Sequence, residues 1–262
     1  TLLQRSDNYA DLVRGFHWRI PDRFNIGVAV SDAWAHRDPN RTALIEYRGA
    51  DAPETLTFGA LAKRSNALAN ALRARGVRRG DRVALLLPQS FETAIAHVAI
   101  GAIPLPLALL FGVEALEYRL QTAGVRAVIT NSAGLAKVSR IGARLPDLEL
   151  IVSVDGQEGA AVGFESLMAG APVDFEAVDT TPDDPAMMIF TSGTTGPPKG
   201  ALHGHRVLLG HLPGLQMAYE FLPQAGDLMW TPADWAWAGG LLNALLPSLY
   251  FGVPVVAQRL AK

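Results

Sequence analysis

Residues 187–200 read Met187-Met-Ile-Phe190-Thr-Ser-Gly-Thr-Thr-Gly196-Pro-Pro-Lys199-Gly200, an apolar run that feeds a loop of hydroxyls and glycines. The run Met187–Phe190 has the pattern of a short buried strand. In the six residues after it, Thr191, Ser192, Thr194 and Thr195 carry hydroxyls, and Gly193 and Gly196 allow backbone N–H groups to turn inward. Such a nest holds anions, and hydroxyls add donors that need no deprotonation. Lys199 adds a point charge able to reach a phosphate oxygen. A P-loop of nucleotide triphosphatases requires Gly, four residues, then Gly-Lys-Ser/Thr. Counted from Gly193, the second glycine position holds Pro198, and Lys199 is followed by Gly200, so that spacing fails. A flexible Gly/Thr hairpin loop is the plainer alternative, and the Pro-Pro-Lys-Gly continuation makes the segment more particular than that.

Outward from the loop, helical and strand-like segments alternate. Thr57 caps a helix to about Arg75, with Leu61, Leu68 and Leu72 on one face and Gly76 as its stop. Val83–Leu87 is a strand, a helix runs from about Phe91 to Ile100, and a strand surrounds Ile103. Glu114–Ala123 is a helix stopped by Gly124, followed by the β-branched strand Val125–Thr130, a helix near Leu135–Leu145 and a strand at Leu150–Val154. This order predicts an α/β fold: layered βαβ sheets with helices on both faces. Residues 157–185 read as a linker, so residues 1–178 form a first α/β subdomain and residues 179–262 start a second. The second holds a strand at Ala186–Phe190, the loop, a helix near Val207–Met217, a strand at Leu228–Trp230 and a helix–strand pair through Val256.

Composition narrows the function. The chain of 262 residues is 49% hydrophobic and 18% charged, with net charge −2, which argues against a nucleic-acid partner. The cluster Arg73, Arg75, Arg78 and Arg79 is interrupted by Gly76 and followed by Gly80-Asp81, the pattern of a solvated helix end. There is no cysteine, which removes disulfides, thiolate metal sites and a cysteine nucleophile within this chain. Ala94–Val113 carries His97 as its only ionisable residue, but Pro104 and Pro106 break it, so it reads as a buried helix and strand instead of a membrane span. No basic-then-apolar leader opens the chain, and a cytoplasmic protein is expected.

Residues 189–200 resemble the AMP-binding signature of the adenylate-forming superfamily, with Pro198 at its strict proline position. The stretch Trp230-Thr-Pro-Ala-Asp234-Trp235-Ala-Trp237-Ala-Gly239-Gly240 is similar to the Asp-x-Gly-Trp segment of acyl-CoA synthetases, with Ala236 in place of the glycine. Leu56-Thr57-Phe58 and Gly80-Asp81-Arg82-Val83-Ala84 look like the same family's early core. Ahead of Gly101 the chain is about three residues short of the family pattern, enough to shift a helix by nearly a turn.

The resemblance implies ATP, Mg²⁺ and coenzyme A as cofactors. It implies activation of a fatty or aryl carboxylic acid to an acyl-adenylate and transfer to coenzyme A. It places the nucleotide at Thr191, Ser192, Gly193, Thr194, Thr195, Gly196 and Lys199, with Lys199 catalytic, and the acid beside Asp234, Trp235, Trp237, Gly239 and His205. The His203, His205, His211 set lacks the spacing of a metal site. An amino-acid adenylation domain, or a non-catalytic nucleotide-binding module, is the alternative. The family's Tyr-Gly-x-Thr-Glu and Thr-Gly-Asp segments, and its small C-terminal domain, are not found, so the chain is expected to be an N-terminal portion inactive by itself.

Overall fold

A computed structural model describes residues 2–49, 52–99, 102–191 and 196–258. Eleven strands are present among them: β1 (Thr42–Tyr47), β2 (Glu54–Thr57), β3 (Arg82–Leu86), β4 (Ile103–Pro106), β5 (Val125–Thr130), β6 (Leu150–Ser153), β7 (Val162–Gly163), β8 (Pro185–Thr191), β9 (Lys199–Gly204), β10 (Met229–Trp230) and β11 (Val255–Gln258). Five form a wholly parallel sheet in the order β4-β3-β5-β6-β7. Four form a mixed sheet, β10-β11-β1-β2, and β8-β9 is an antiparallel hairpin lying against β4.

The parallel sheet is covered on both faces, as its unbroken apolar strands require. Side chains alternate across a strand. Val83 and Leu85 of β3 accordingly enter one core, with Leu68 and Ile95 of the helices Phe58–Ala74 and Phe91–Ala99. Ala84 and Leu86 enter the other, with Leu116, Leu120 and Val138. The α/β class with helices on both faces is therefore what the chain adopts. The β1–β11 ladder pairs Leu44 with Val255 and Ile45 with Val256, so this sheet draws strands from both sides of the 178/179 division.

Local chemistry sets the ends of these elements. The Thr57 hydroxyl accepts from the Ala60 N–H at 3.2 Å and caps the helix Phe58–Ala74. Helix Val113–Ala123 ends at Gly124 with φ +55°, where a side chain would meet Arg82. The run 94–113 is split into helix and strand, and among the described residues no helix is long and apolar enough to cross a membrane.

Four expectations differ from the structure. The helix expected near Leu135–Leu145 is Ser132–Val138 followed by a 3₁₀ turn at Gly142–Arg144, because Gly142 and the extended backbone before Pro146 do not favour helix. The expected linker 157–185 contains β7 and the helix Phe164–Met168, which buries Phe164, Leu167 and Met168. Strand β9 was not expected. The apolar helix after Gly240 is interrupted by a π turn at Leu241–Leu245, where Pro247 lacks the N–H and crowds the preceding turn. Ile100 and Gly101, at the shortened segment, lie outside the described residues.

Candidate functional site

The glycine-rich loop is the connection of the β8–β9 hairpin. Thr191 and Lys199 face one another in its ladder and close its base, and the Thr191 hydroxyl lies 3.5 Å from the Lys199 carbonyl oxygen. Lys199 is exposed, and no ion pair to it is found among the described residues. Gly196 is exposed with φ +86°, a conformation suited to glycine. Ser192, Gly193, Thr194 and Thr195 lie outside the described residues.

The helix Val113–Ala123 supports this loop from behind. The Tyr118 phenol donates to the Pro198 carbonyl at 3.1 Å. The neighbouring Arg119 stacks over Phe111 at 4.1 Å and faces Phe190 at 5.7 Å, with one guanidinium nitrogen bonded to the Ala115 carbonyl at 2.8 Å. Its Nε is buried without a partner, and no carboxylate pairs with it among the described residues.

The tryptophan segment is built on a tight turn. The Asp234 carboxylate accepts from the Ala236 N–H at 2.9 Å, and the Asp234 carbonyl from the Trp237 N–H at 3.1 Å. Burial raises the Asp234 carboxyl above its ordinary value, opposed by the Ala236 N–H. At Gly240 an added Cβ would lie 2.4 Å from the Asp234 carbonyl oxygen, so the backbone packs where no side chain fits, whereas Gly239 faces open space. Trp237 is 44% exposed and meets Phe111 edge-on at 5.7 Å. Trp235 is fully buried, and its ring packs in the core beneath this segment.

His205 lies apart from the loop along the hairpin. It follows β9 at the end opposite Lys199, about 20 Å along an extended strand. There its Nδ1 accepts from the Ile26 N–H at 3.1 Å, and burial lowers its pKa to about 4. Within the strand, His203 shares the Lys199 face by the two-residue alternation. The strand ends at Gly204 and His205 has helical backbone, so the alternation no longer sets the side of its ring. The His203 pKa is lowered by burial and then by His211, which lies 2.7 Å from the Asn243 side-chain oxygen.

The structure thus joins the two motifs through a row of three rings and one guanidinium, Trp237–Phe111–Arg119–Phe190, with Phe190 one residue before Thr191. Phe111, Tyr118, Arg119 and Gln89, whose amide holds the carbonyls of Thr231 and Ala233, were not singled out from sequence. One signal existed for Arg119: no acid stands three or four residues away on its helix.

Comparison with known proteins gives the family. The profile of the family described as AMP-binding enzyme matches residues 31–261. The chain is 32% identical to acyl-coenzyme A synthetase ACSM2, mitochondrial, of Rattus norvegicus, over 94% of the chain and 44% of that protein. It is 31% identical to the acetyl-coenzyme A synthetase of Halorhodospira halophila, over 82% of the chain and 38% of that protein. Among solved structures, a Brucella canis acyl-CoA synthetase superposes with TM-score 0.85 at 28% identity, over 98% of the chain and 48% of that structure. The anthranilate CoA ligase AuaEII, in complex with anthranoyl-AMP, gives 0.84 at 27%, over 92% and 46%. The chain spans less than half the length of these relatives. The fold, the loop and the tryptophan segment together with these matches show that the chain belongs to the AMP-binding enzyme family.

Proposed function

We propose that the protein containing this chain activates a fatty or aryl carboxylic acid with ATP and passes the acyl group to coenzyme A. The observation that carries this is the stacked row Trp237–Phe111–Arg119–Phe190, three aromatic rings bridged by a guanidinium, which runs from the tryptophan segment to the strand that feeds the hydroxyl- and glycine-rich loop. Activation needs the two sites adjacent. A carboxylate oxygen attacks the α-phosphorus, the bond from that phosphorus to the bridging oxygen breaks, and pyrophosphate leaves with the bond's electrons. A thiolate then attacks the acyl carbon and AMP departs. The protein's task is to hold two anions together and offset the charge on the leaving group.

In this reading the loop 191–196 and Lys199 hold the phosphates, and Asp234, Trp237 and Gly239 border the acid. Trp235 supports them from the core, and His205 ties β9 to residue 26. Residues 1–178 and 179–262 act as two α/β subdomains sharing the β1–β11 ladder. In this reading the thiol is that of coenzyme A. For Mg²⁺, no group of three or more His, Asp or Glu that could hold a metal is found among the described residues, so no step is assigned to it. A cytoplasmic location belongs to the same proposal. Asp234 favours a fatty or aryl acid over an amino acid: its carboxylate is already bound to Ala236 N–H, and burial disfavours the charge that a substrate ammonium would need.

The test is to incubate the full-length protein with ATP, coenzyme A and one acid at a time from a fatty, aryl and amino-acid panel. Acyl-CoA and AMP should form with a fatty or aryl acid. AMP release with none of them would overturn the proposal.

A further inference from the structure

Gln89 lies in the loop leaving the carboxyl end of β3, where the strand order β4-β3-β5-β6-β7 reverses direction. In open parallel α/β sheets, ligands bind outside the carboxyl ends of the strands at such a switch point, because neighbouring connections diverge there and leave a crevice. The side chain is buried, with 7% relative exposure. Its amide nitrogen donates to the Thr231 carbonyl at 3.0 Å and to the Ala233 carbonyl at 2.8 Å, and its oxygen accepts from the Gln258 N–H at 3.3 Å. Both donors of the amide are therefore used, and one side chain holds two distant stretches of chain, residues 231–233 and Gln258.

The turn after Ala233 is stiff. Asp234 binds the N–H groups of Ala236 and Trp237, and Gly240 packs against the Asp234 carbonyl with no room for a side chain. A stiff turn transmits the position of its base to its tip. The place of Trp237 thus depends on where residues 231–233 are anchored: the β10–β11 pairing holds their start, and Gln89 holds the carbonyls of Thr231 and Ala233 from the neighbouring sheet. Without its donors, two carbonyls in a half-buried segment lose their partners, and the segment must move to regain hydrogen bonds from water.

We propose that Gln89 is a positioning residue that determines acid specificity: by fixing residues 231–233 it sets how far the Trp237 wall stands from the reacting carboxylate, and hence which acid tails fit. This rests on the adenylation reading above. The experiment compares wild type with Gln89→Met, which keeps the length and removes the donors, and Gln89→Asn, which keeps the amide and shortens its reach. Acid-dependent ATP–pyrophosphate exchange by the full-length protein gives kcat/KM for a short, a long and an aromatic acid, and the KM for ATP.

The ratio of kcat/KM between two acids is independent of how much protein is folded, so a merely destabilising change leaves it where it was. That ratio is expected to shift by about tenfold in Gln89→Met, the scale of a misfitted methylene, and in the same direction but less in Gln89→Asn. The KM for ATP should stay within about twofold. If Gln89→Met does not fold, an unchanged ratio in Gln89→Asn overturns the inference. Wild-type exchange with unchanged ratios in both variants overturns this inference alone. No exchange by wild type with any acid overturns the adenylation reading and this inference with it.

Discussion

The Tyr118 phenol donates a 3.1 Å hydrogen bond to the Pro198 carbonyl and so ties the helix Val113–Ala123 to the residue before Lys199. A loop rich in glycine has many conformations to lose on binding phosphate, and an anchor at one arm lowers that cost. Tyr118→Phe removes the bond and keeps the ring. We expect it to raise the KM for ATP roughly three- to tenfold, the worth of one hydrogen bond of about 0.5–1.5 kcal/mol, with little change in the KM for the acid. Equal KM values for ATP in both proteins would show that the bond does not hold the loop.

Lys199 stands exposed at the base of the same loop, without an ion pair among the described residues. If it offsets charge on leaving pyrophosphate, Lys199→Ala slows adenylate formation by roughly tenfold or more, on the order of 1.4 kcal/mol or above. Single-turnover formation of AMP-linked acid reads this step directly. An unchanged rate would remove Lys199 from the reaction.

Gly240 and Gly239 make a matched pair. An added Cβ at Gly240 would lie 2.4 Å from the Asp234 carbonyl oxygen, whereas at Gly239 it would meet nothing. Gly240→Ala is expected to destabilise the protein by about 1–3 kcal/mol, the usual cost of overpacking. Gly239→Ala should leave the thermal midpoint in place and lower kcat/KM for bulky acids more than for short ones. The same loss for every acid in Gly239→Ala would place that residue outside the pocket.

Two buried histidines give the fold a dependence on acid. His97 has neither ring nitrogen hydrogen-bonded and His205 uses Nδ1 as an acceptor; burial lowers both from 6.5 to about 4. The unfolded chain takes up these protons near 6.5 and the folded one only near 4. The stability they contribute is therefore fully present above about pH 6.5 and is lost as pH falls toward 4, by roughly 1.4 kcal/mol per pH unit for each. His97→Leu should make the fall in thermal midpoint between about pH 7 and pH 5 shallower by one histidine's share. An identical fall in both proteins would contradict this.

Four strands of the parallel sheet were legible in the sequence as short apolar runs, and Val125–Thr130 has the same ends in both, whereas the two-residue β7 was hidden in the expected linker. Strand β9 was not legible either. Lys-Gly-Ala-Leu-His-Gly has low strand propensity, and it extends only because β8 pairs with it. The helix Phe164–Met168 was hidden because its few apolar anchors sit in a stretch rich in glycine and acid. At the site, the loop and the tryptophan segment were visible as local motifs. Their junction was not: Gln89 bonds to residues 142 and 169 positions away, and no local pattern encodes a contact of that reach. The place of His205 was hidden with β9 itself. Strand pleat sets His203 on the Lys199 face, while the helical backbone that begins at His205 lets its ring pack on residue 26.

The central claim, that the loop and the aromatic wall form one site for acid activation, is tested most directly by ATP–pyrophosphate exchange on the full-length protein. Labelled pyrophosphate should enter ATP only when a fatty or aryl acid is present, without any coenzyme A, and Lys199→Ala should slow it by about tenfold or more. Exchange that proceeds without acid, or that no carboxylic acid supports, would contradict the account.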